Sequence, residues 1–108
     1  MRGDTQAVIH YECEPPLARV SITGELDLST DAQLQDAFTF LDGAGCTRLQ
    51  LDLAAVTFID AHALGLLHVE QHRLRASGGS LDVVAASVRC VRVTELARYD
   101  DLRPPAPR

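Results

Sequence analysis

The sequence predicts a small α/β layer fold: a mixed sheet of about four strands, mostly parallel with an antiparallel N-terminal strand, and about three helices packed mainly on one face. Three observations carry that expectation. Apolar and polar residues alternate in "ARVSIT" (18–23) and "RLQLDLAAV" (48–56), the period of a strand with one buried side. Between and after these runs the period becomes helical, at Leu34, Ala37, Phe38 and Leu41, and again at Leu64, Leu67 and Leu74. Consecutive strand–helix–strand units close as right-handed crossovers between parallel strands.

The elements follow in order. Residues 1–6 are expected to be a flexible N-terminus, with the domain spanning 7–102. "VIHYE" (8–12) is a weaker strand, and "CEPPL" after it is turn chemistry, so the first two strands can form an antiparallel pair. In "GELDLSTDAQLQDAFTFLDGAG", Thr30 is placed to cap a helix, with Gln33 completing a capping box and Gly43 and Gly45 ending the helix. "RLQLDLAAV" sets Leu49, Leu51 and Leu53 on one side, expected to pack with Leu34, Phe38, Leu64 and Leu67. From Asp60 the chain turns helical, and "SGG" (77–79) ends that helix. "LDVVAA" (81–86) is a short apolar strand, and Ser87 caps a last helix holding Val88, Val91 and Leu96. "RPPAPR" (103–108) is a Pro-rich, disordered tail with nothing to pack.

Composition narrows function. A chain of 108 residues has room for one core. The net charge of −5 argues against nucleic acid, whose phosphates demand a basic face. No apolar run approaches the roughly 20 residues that span a bilayer, and "MRGDTQAV" lacks the apolar stretch of a signal peptide, so a cytoplasmic chain without a membrane partner is expected. All ten basic residues are Arg. Without Lys there is neither a P-loop nor Schiff-base chemistry. Cys13, Cys46 and Cys90 are far apart and form no Cys-x-x-Cys motif, so reduced core residues are expected.

In open α/β sheets, sites form beyond the carboxyl ends of strands. Two acids follow strands here, Asp27 in "GELD" and Asp60 in "FID", and both can share one rim. Paired carboxylates suit Mg²⁺-assisted phosphoryl chemistry, but the known versions on such sheets add a Lys that this chain lacks. The plainer role of Asp60 is to cap the second helix, which is compatible with binding. In "HVEQH", His68 and His72 have the i, i+4 spacing of a shared helix face. Glu70 is misplaced for the zinc-protease motif, and no third ligand is evident. A solvated face with Glu70, Gln71 and Arg73, and no metal, is the expectation. No Ser, Thr or Cys sits in a nucleophile elbow; Ser77 belongs to a helix exit. Neither a catalytic residue nor a cofactor is expected.

Taken together, "VSITGELDLSTDAQLQDAF", "RLQLDLAAVTFIDAHALGLL", "RLRASGGSLDVV" and "VRCVRVTELARYDDL" resemble a STAS domain, most closely the bacterial anti-sigma factor antagonists. The match runs over 17–102 and includes the Gly-Glu-Leu-Asp step, the Phe-Ile-Asp step and the Gly-Gly exit. The resemblance implies a partner-switching protein that binds an anti-sigma factor, often a histidine-kinase-like ATPase, and so frees a sigma factor. It also implies a partner-binding rim at Asp27, Thr57, Asp60, Ala61, His62, Ala63 and Leu64. In the family pattern the residues after the Asp read Ser-Ser-Gly-Leu, and the first Ser takes a phosphate from the partner. Here they read Ala61-His62-Ala63-Leu64, so the acceptor position holds no hydroxyl. Thr57, Ser29 and Thr30 are the nearest hydroxyls, none expected at the start of the second helix. The expectation is an antagonist-like binding protein without the phosphorylation switch, as a monomer or weak dimer. The alternatives are a STAS scaffold subunit of a signalling assembly, or a small-ligand module using the Asp27/Asp60 rim.

Overall fold

A computed structural model describes residues 7–97, with side chains through residue 95. The expected N-terminus (1–6), the end of the domain (98–102), the Pro-rich tail (103–108) and the Leu96 side chain lie outside the described residues.

Four strands and three helices alternate as the periodicity predicts: β1 (Val8–Glu14), β2 (Leu17–Leu26), α1 (Asp31–Gly43), β3 (Arg48–Ile59), α2 (Ala61–Ala76), β4 (Ser80–Ala86) and α3 (Val88–Ala97), with a 3₁₀ turn, Leu28–Thr30, leading into α1. The sheet order is β1-β2-β3-β4. β1 runs antiparallel to β2, and β2, β3 and β4 are mutually parallel.

The register explains the core. Val20 pairs with Leu51, and Leu51 with Val83, so the inward rows of three strands lie side by side. Ala18, Val20 and Ile22 join Leu49, Leu51 and Leu53 in one cluster with Leu34, Phe38 and Leu41 of α1 and Ala63, Leu64, Leu67 and Leu74 of α2. All the residues expected in the core are there. The alternating partners Arg19, Ser21, Thr23 and Arg48 are exposed, as period-2 alternation requires. The register shifts between Ser21 and Thr23 and between Gly24 and Glu25 are bulges that carry the β2–β3 pairing on to Leu26 and Ile59. Gly79 closes the α2–β4 turn against the backbone carbonyl of Thr47, where no side chain fits.

Four expectations change. Thr30 precedes α1 but makes no side-chain cap to it. The capping box lies one turn earlier, where Asp27 accepts from the turn backbone and the Thr30 hydroxyl accepts from the Asp27 N–H. Gln33 instead reaches back 26 residues to donate to the Ala7 carbonyl at 2.6 Å. In α3, Ser87 does cap, accepting from the Cys90 N–H, but Val88 is exposed and Val91 half-buried. The helix buries Cys90 and Thr94, whose hydroxyl is satisfied by the Cys90 carbonyl at 2.7 Å.

The fourth change is covalent. Cys13 and Cys46 form a disulfide with Cα atoms 6.6 Å apart, rather than standing as separate thiols. Cys13 pairs with Ala18 on the inward face of β1, and the turn before β3 brings Cys46 beneath it through the Cys46 N–H to Leu41 carbonyl bond. A pair 33 residues apart carries no spacing motif, so only the folded register reveals it. Cys90 is free, and burial pushes its thiol pKa up, partly offset by Ser87.

The thiol count is directly testable. A maleimide reagent on the unreduced, denatured chain should label one cysteine, and three after reduction; three without reduction would rule out the bridge. Closing a loop of this length stabilises by roughly 3 to 4 kcal/mol in the chain-entropy account. Cys13→Ala should therefore lower the denaturation free energy by an amount of that order, measured by urea unfolding without reductant.

Candidate partner-binding site

The site is built by two strand ends. Leu26 and Ile59 are the last paired residues of β2 and β3, and the Asp60 N–H donates to the Leu26 carbonyl at 3.1 Å. Asp27 and Asp60 therefore begin their exits from neighbouring positions on the same rim, as expected from the two acidic steps. Each then starts a helical segment. Asp27 has extended backbone, and its Oδ1 accepts from the Ser29 N–H at 2.9 Å and the Ser29 hydroxyl at 2.6 Å. Asp60, also extended, caps α2 by accepting from the Ala63 N–H at 2.9 Å. A carboxylate at this position meets free N–H groups and the positive end of the helix dipole.

Cross-links tie the rim together. The Thr57 hydroxyl donates to the Gly24 carbonyl at 3.2 Å, linking β3 to β2. His62 Nε2 lies 3.3 Å from an Asp31 carboxylate oxygen, linking the first turns of α2 and α1.

The rim residues divide by exposure. Thr57, Ala61 and His62 are exposed, and Asp27 and Asp60 half-buried. Ala63 and Leu64 turn inward to the core, so they support the surface rather than form it. The apolar contact on the rim comes instead from Leu28, 67% exposed, and Phe58, 39% exposed. These two lie beside the marked acids in sequence, and their exposure is the signal that periodicity did not supply. Thr30 is buried, whereas Ser29 is exposed at the start of the turn entering α1, nearer a helix start than the sequence suggested.

"HVEQH" is not a wholly solvated face. Glu70 and Gln71 are buried. Gln71 donates to the Leu81 carbonyl of β4 at 2.9 Å. Glu70 holds Arg73 in a paired contact at 2.6 and 3.0 Å, with Asp42 of α1 at 3.4 Å, so the guanidinium pKa is raised, first by its hydrogen bond to Glu70. The His68 and His72 rings lie 4.3 Å apart, tilted by 57° to each other. Among the described residues no three His, Cys, Asp or Glu side chains group as a metal site would need, and no helix is long and apolar enough to cross a membrane.

The comparisons with known proteins agree with this architecture. The family model described as "Mlab, STAS domain" matches residues 9–104. The fold is similar to the crystal structure of an anti-sigma factor antagonist from Mycobacterium paratuberculosis, at 24% identity and a TM-score of 0.79, covering 96% of this chain and 89% of that one. It is similar to the anti-sigma factor antagonist SpoIIAA in its unphosphorylated form, at 16% identity and a TM-score of 0.76, covering 92% and 89%. It is also similar to the Bacillus cell fate determinant SpoIIAA in the phosphorylated form, at 16% identity and a TM-score of 0.70, covering 92% of each chain. No curated protein is matched in sequence.

The capping geometry sets a stability prediction. Asp60→Ala should lower the unfolding free energy by about 1 kcal/mol while leaving the fold intact. Urea denaturation with circular dichroism measures it, and an unchanged midpoint would mean that the cap contributes nothing.

Proposed function

Because the chain belongs to the STAS domain family, we propose that it is an anti-sigma factor antagonist-like binding protein and not an enzyme. In this reading its Asp27/Asp60 rim docks on an anti-sigma factor of the histidine-kinase-like ATPase class and so regulates sigma-factor-dependent transcription. The observation that carries the reading is the rim itself: two capped strand ends side by side, with Ala61 and His62 exposed at the head of α2 and Leu28 and Phe58 exposed beside them. A small apolar centre edged by polar groups is what a modest interface needs. The likeness in fold to anti-sigma factor antagonists supports the same class of partner.

The absent hydroxyl defines the kind of antagonist. A phosphate would add about −1.5 to −2 charges at neutral pH. A helix N-terminus accommodates that charge, but a partner packed over it does not, so phosphorylation acts on the complex more than on the fold. Ala61 offers no oxygen to carry the group. The protein in this reading stays bound where a phosphorylatable relative would be released. Its place of action is the cytoplasm, where transcription is controlled. A disulfide there faces thiol-reducing systems, so the Cys13–Cys46 bridge would be held in exchange.

Two experiments test the proposal. The tagged protein should capture an ATPase-type partner from its native host, and Phe58→Asp and His62→Arg should each weaken that complex about tenfold, roughly 1.4 kcal/mol. Unchanged affinity in both would move the interface elsewhere. Incubating the chain with that partner and ATP should leave its intact mass unchanged, whereas Ala61→Ser should gain one phosphoryl group if the partner is an active kinase. A phosphoryl group on the unaltered chain, mapped to Thr57, Ser29 or Thr30, would show a switch that has moved rather than vanished.

A further inference from the structure

We propose that β1 is a self-association edge: two copies of this chain pair β1 with β1 antiparallel, about a two-fold axis at Tyr11, and join their four-stranded sheets into one. Among the described residues β1 lies at the end of the sheet order and pairs only with β2. Its register is unbroken over all seven residues, whereas β2–β3 and β3–β4 both carry shifts. Natural edges are blunted by bulges, Pro or Lys. This strand holds none of them.

The side chains select one register. An antiparallel pairing that keeps all helices on one side must be centred on a residue, since opposed side chains share a face. Centred on Tyr11, His10 of each copy opposes Glu12 of the other, twice, Ile9 opposes Cys13 on the inward face, and Val8 opposes Glu14 at the strand ends. Centred on Glu12, His10 opposes Glu14 but two carboxylates meet at the axis, a like-charge pair that is destabilising. Centred on His10, the imidazoles meet and Glu12 faces Val8. Glu12, which guards this edge against other registers, thus becomes complementary in this one. The opposite edge offers no such match, because the one charged side chain of β4 is Asp82 and no basic residue of the strand can oppose it.

Apolar exposure falls in the same place. Val8 is 60% exposed, Tyr11 37% and Phe40 56%. The Tyr11 and Phe40 rings pack at 5.5 Å, so the axis would bring two aromatic pairs together. The strand is also held at both ends, by Gln33 on the Ala7 carbonyl and by the Cys13–Cys46 bridge. An edge already ordered loses little freedom on pairing.

Sedimentation velocity on the full chain, over concentrations on the order of 10 to 500 µM, suits an interface at the small end of the range. A reversible monomer–dimer equilibrium is expected. H10E sets like charges opposite each other in both pairs and should weaken the dimer about tenfold or more. The swap H10E/E12H restores the His–Glu pairing and should recover it, while H10R, which sets a permanent positive charge opposite Glu12, should tighten it. Circular dichroism checks that each variant folds, and recovery in the swap separates a lost interface from a damaged strand. A wild-type chain that stays monomeric throughout, a dimer indifferent to H10E, or a swap that fails to rescue would each overturn the proposal.

Discussion

The parallel pairing of β2 with β3 is the constraint on which the rest depends. It aligns Val20 with Leu51 and ends with Leu26 beside Ile59. The first consequence is the core, since the two inward rows form the floor on which α1 and α2 rest. The second is the rim, since both chains leave the sheet at the same level and from neighbouring strands. A slip of one residue would turn Leu49, Leu51 and Leu53 to solvent and would also part Asp27 from Asp60. Stability and the candidate site are thus set by one register.

Much of this was legible because the informative residues are repetitive. Three leucines at alternate positions fix which face of β3 is buried, and a helical stripe through Leu64, Leu67 and Leu74 fixes the inward face of α2. The acids after two strands pointed to the rim on topological grounds alone. What failed depended on partners distant in sequence. Gln33 satisfies the Ala7 carbonyl rather than its own helix. Gln71 is buried because β4 supplies the Leu81 carbonyl, and Glu70 because Arg73 and α1 lie against it. In α3 the position of β3 decides that Cys90 and Thr94 face inward while Val88 does not. A period identifies a face, but a polar residue on the buried face and an apolar residue off it look the same until the neighbour is in place.

In the proposed reading, the rim acids serve stability and recognition together. Each acid accepts backbone N–H groups and so fixes the direction in which its segment leaves the sheet. Fixed exits hold Leu28, Phe58 and Ala61 in defined positions without using those side chains for support, while His62 also contacts Asp31 of α1. The first three are free to vary with the partner, while the two acids and the inward Ala63 and Leu64 are bound by the fold. A change from Ser to Ala at position 61 therefore alters chemistry at the surface without disturbing the frame beneath it. In the proposed reading, that separation would let the domain keep a binding surface without a phosphate acceptor.

The two surfaces lie on different parts of the sheet, and their relation follows from strand direction. The rim stands at the carboxyl ends of the central strands β2 and β3, and the proposed self-association edge is β1. Antiparallel pairing of β1 with its copy makes β2 antiparallel to its copy as well, so the two rims point to opposite ends of the joined sheet. Neither rim would be covered by the association, and neither partner would meet the other. Such a dimer would carry two independent sites without cooperativity from direct contact. Any coupling between them would pass through β1, whose Val8 end pairs with Thr23 of β2 on the side of the rim and whose Cys13 end pairs with Ala18 away from it.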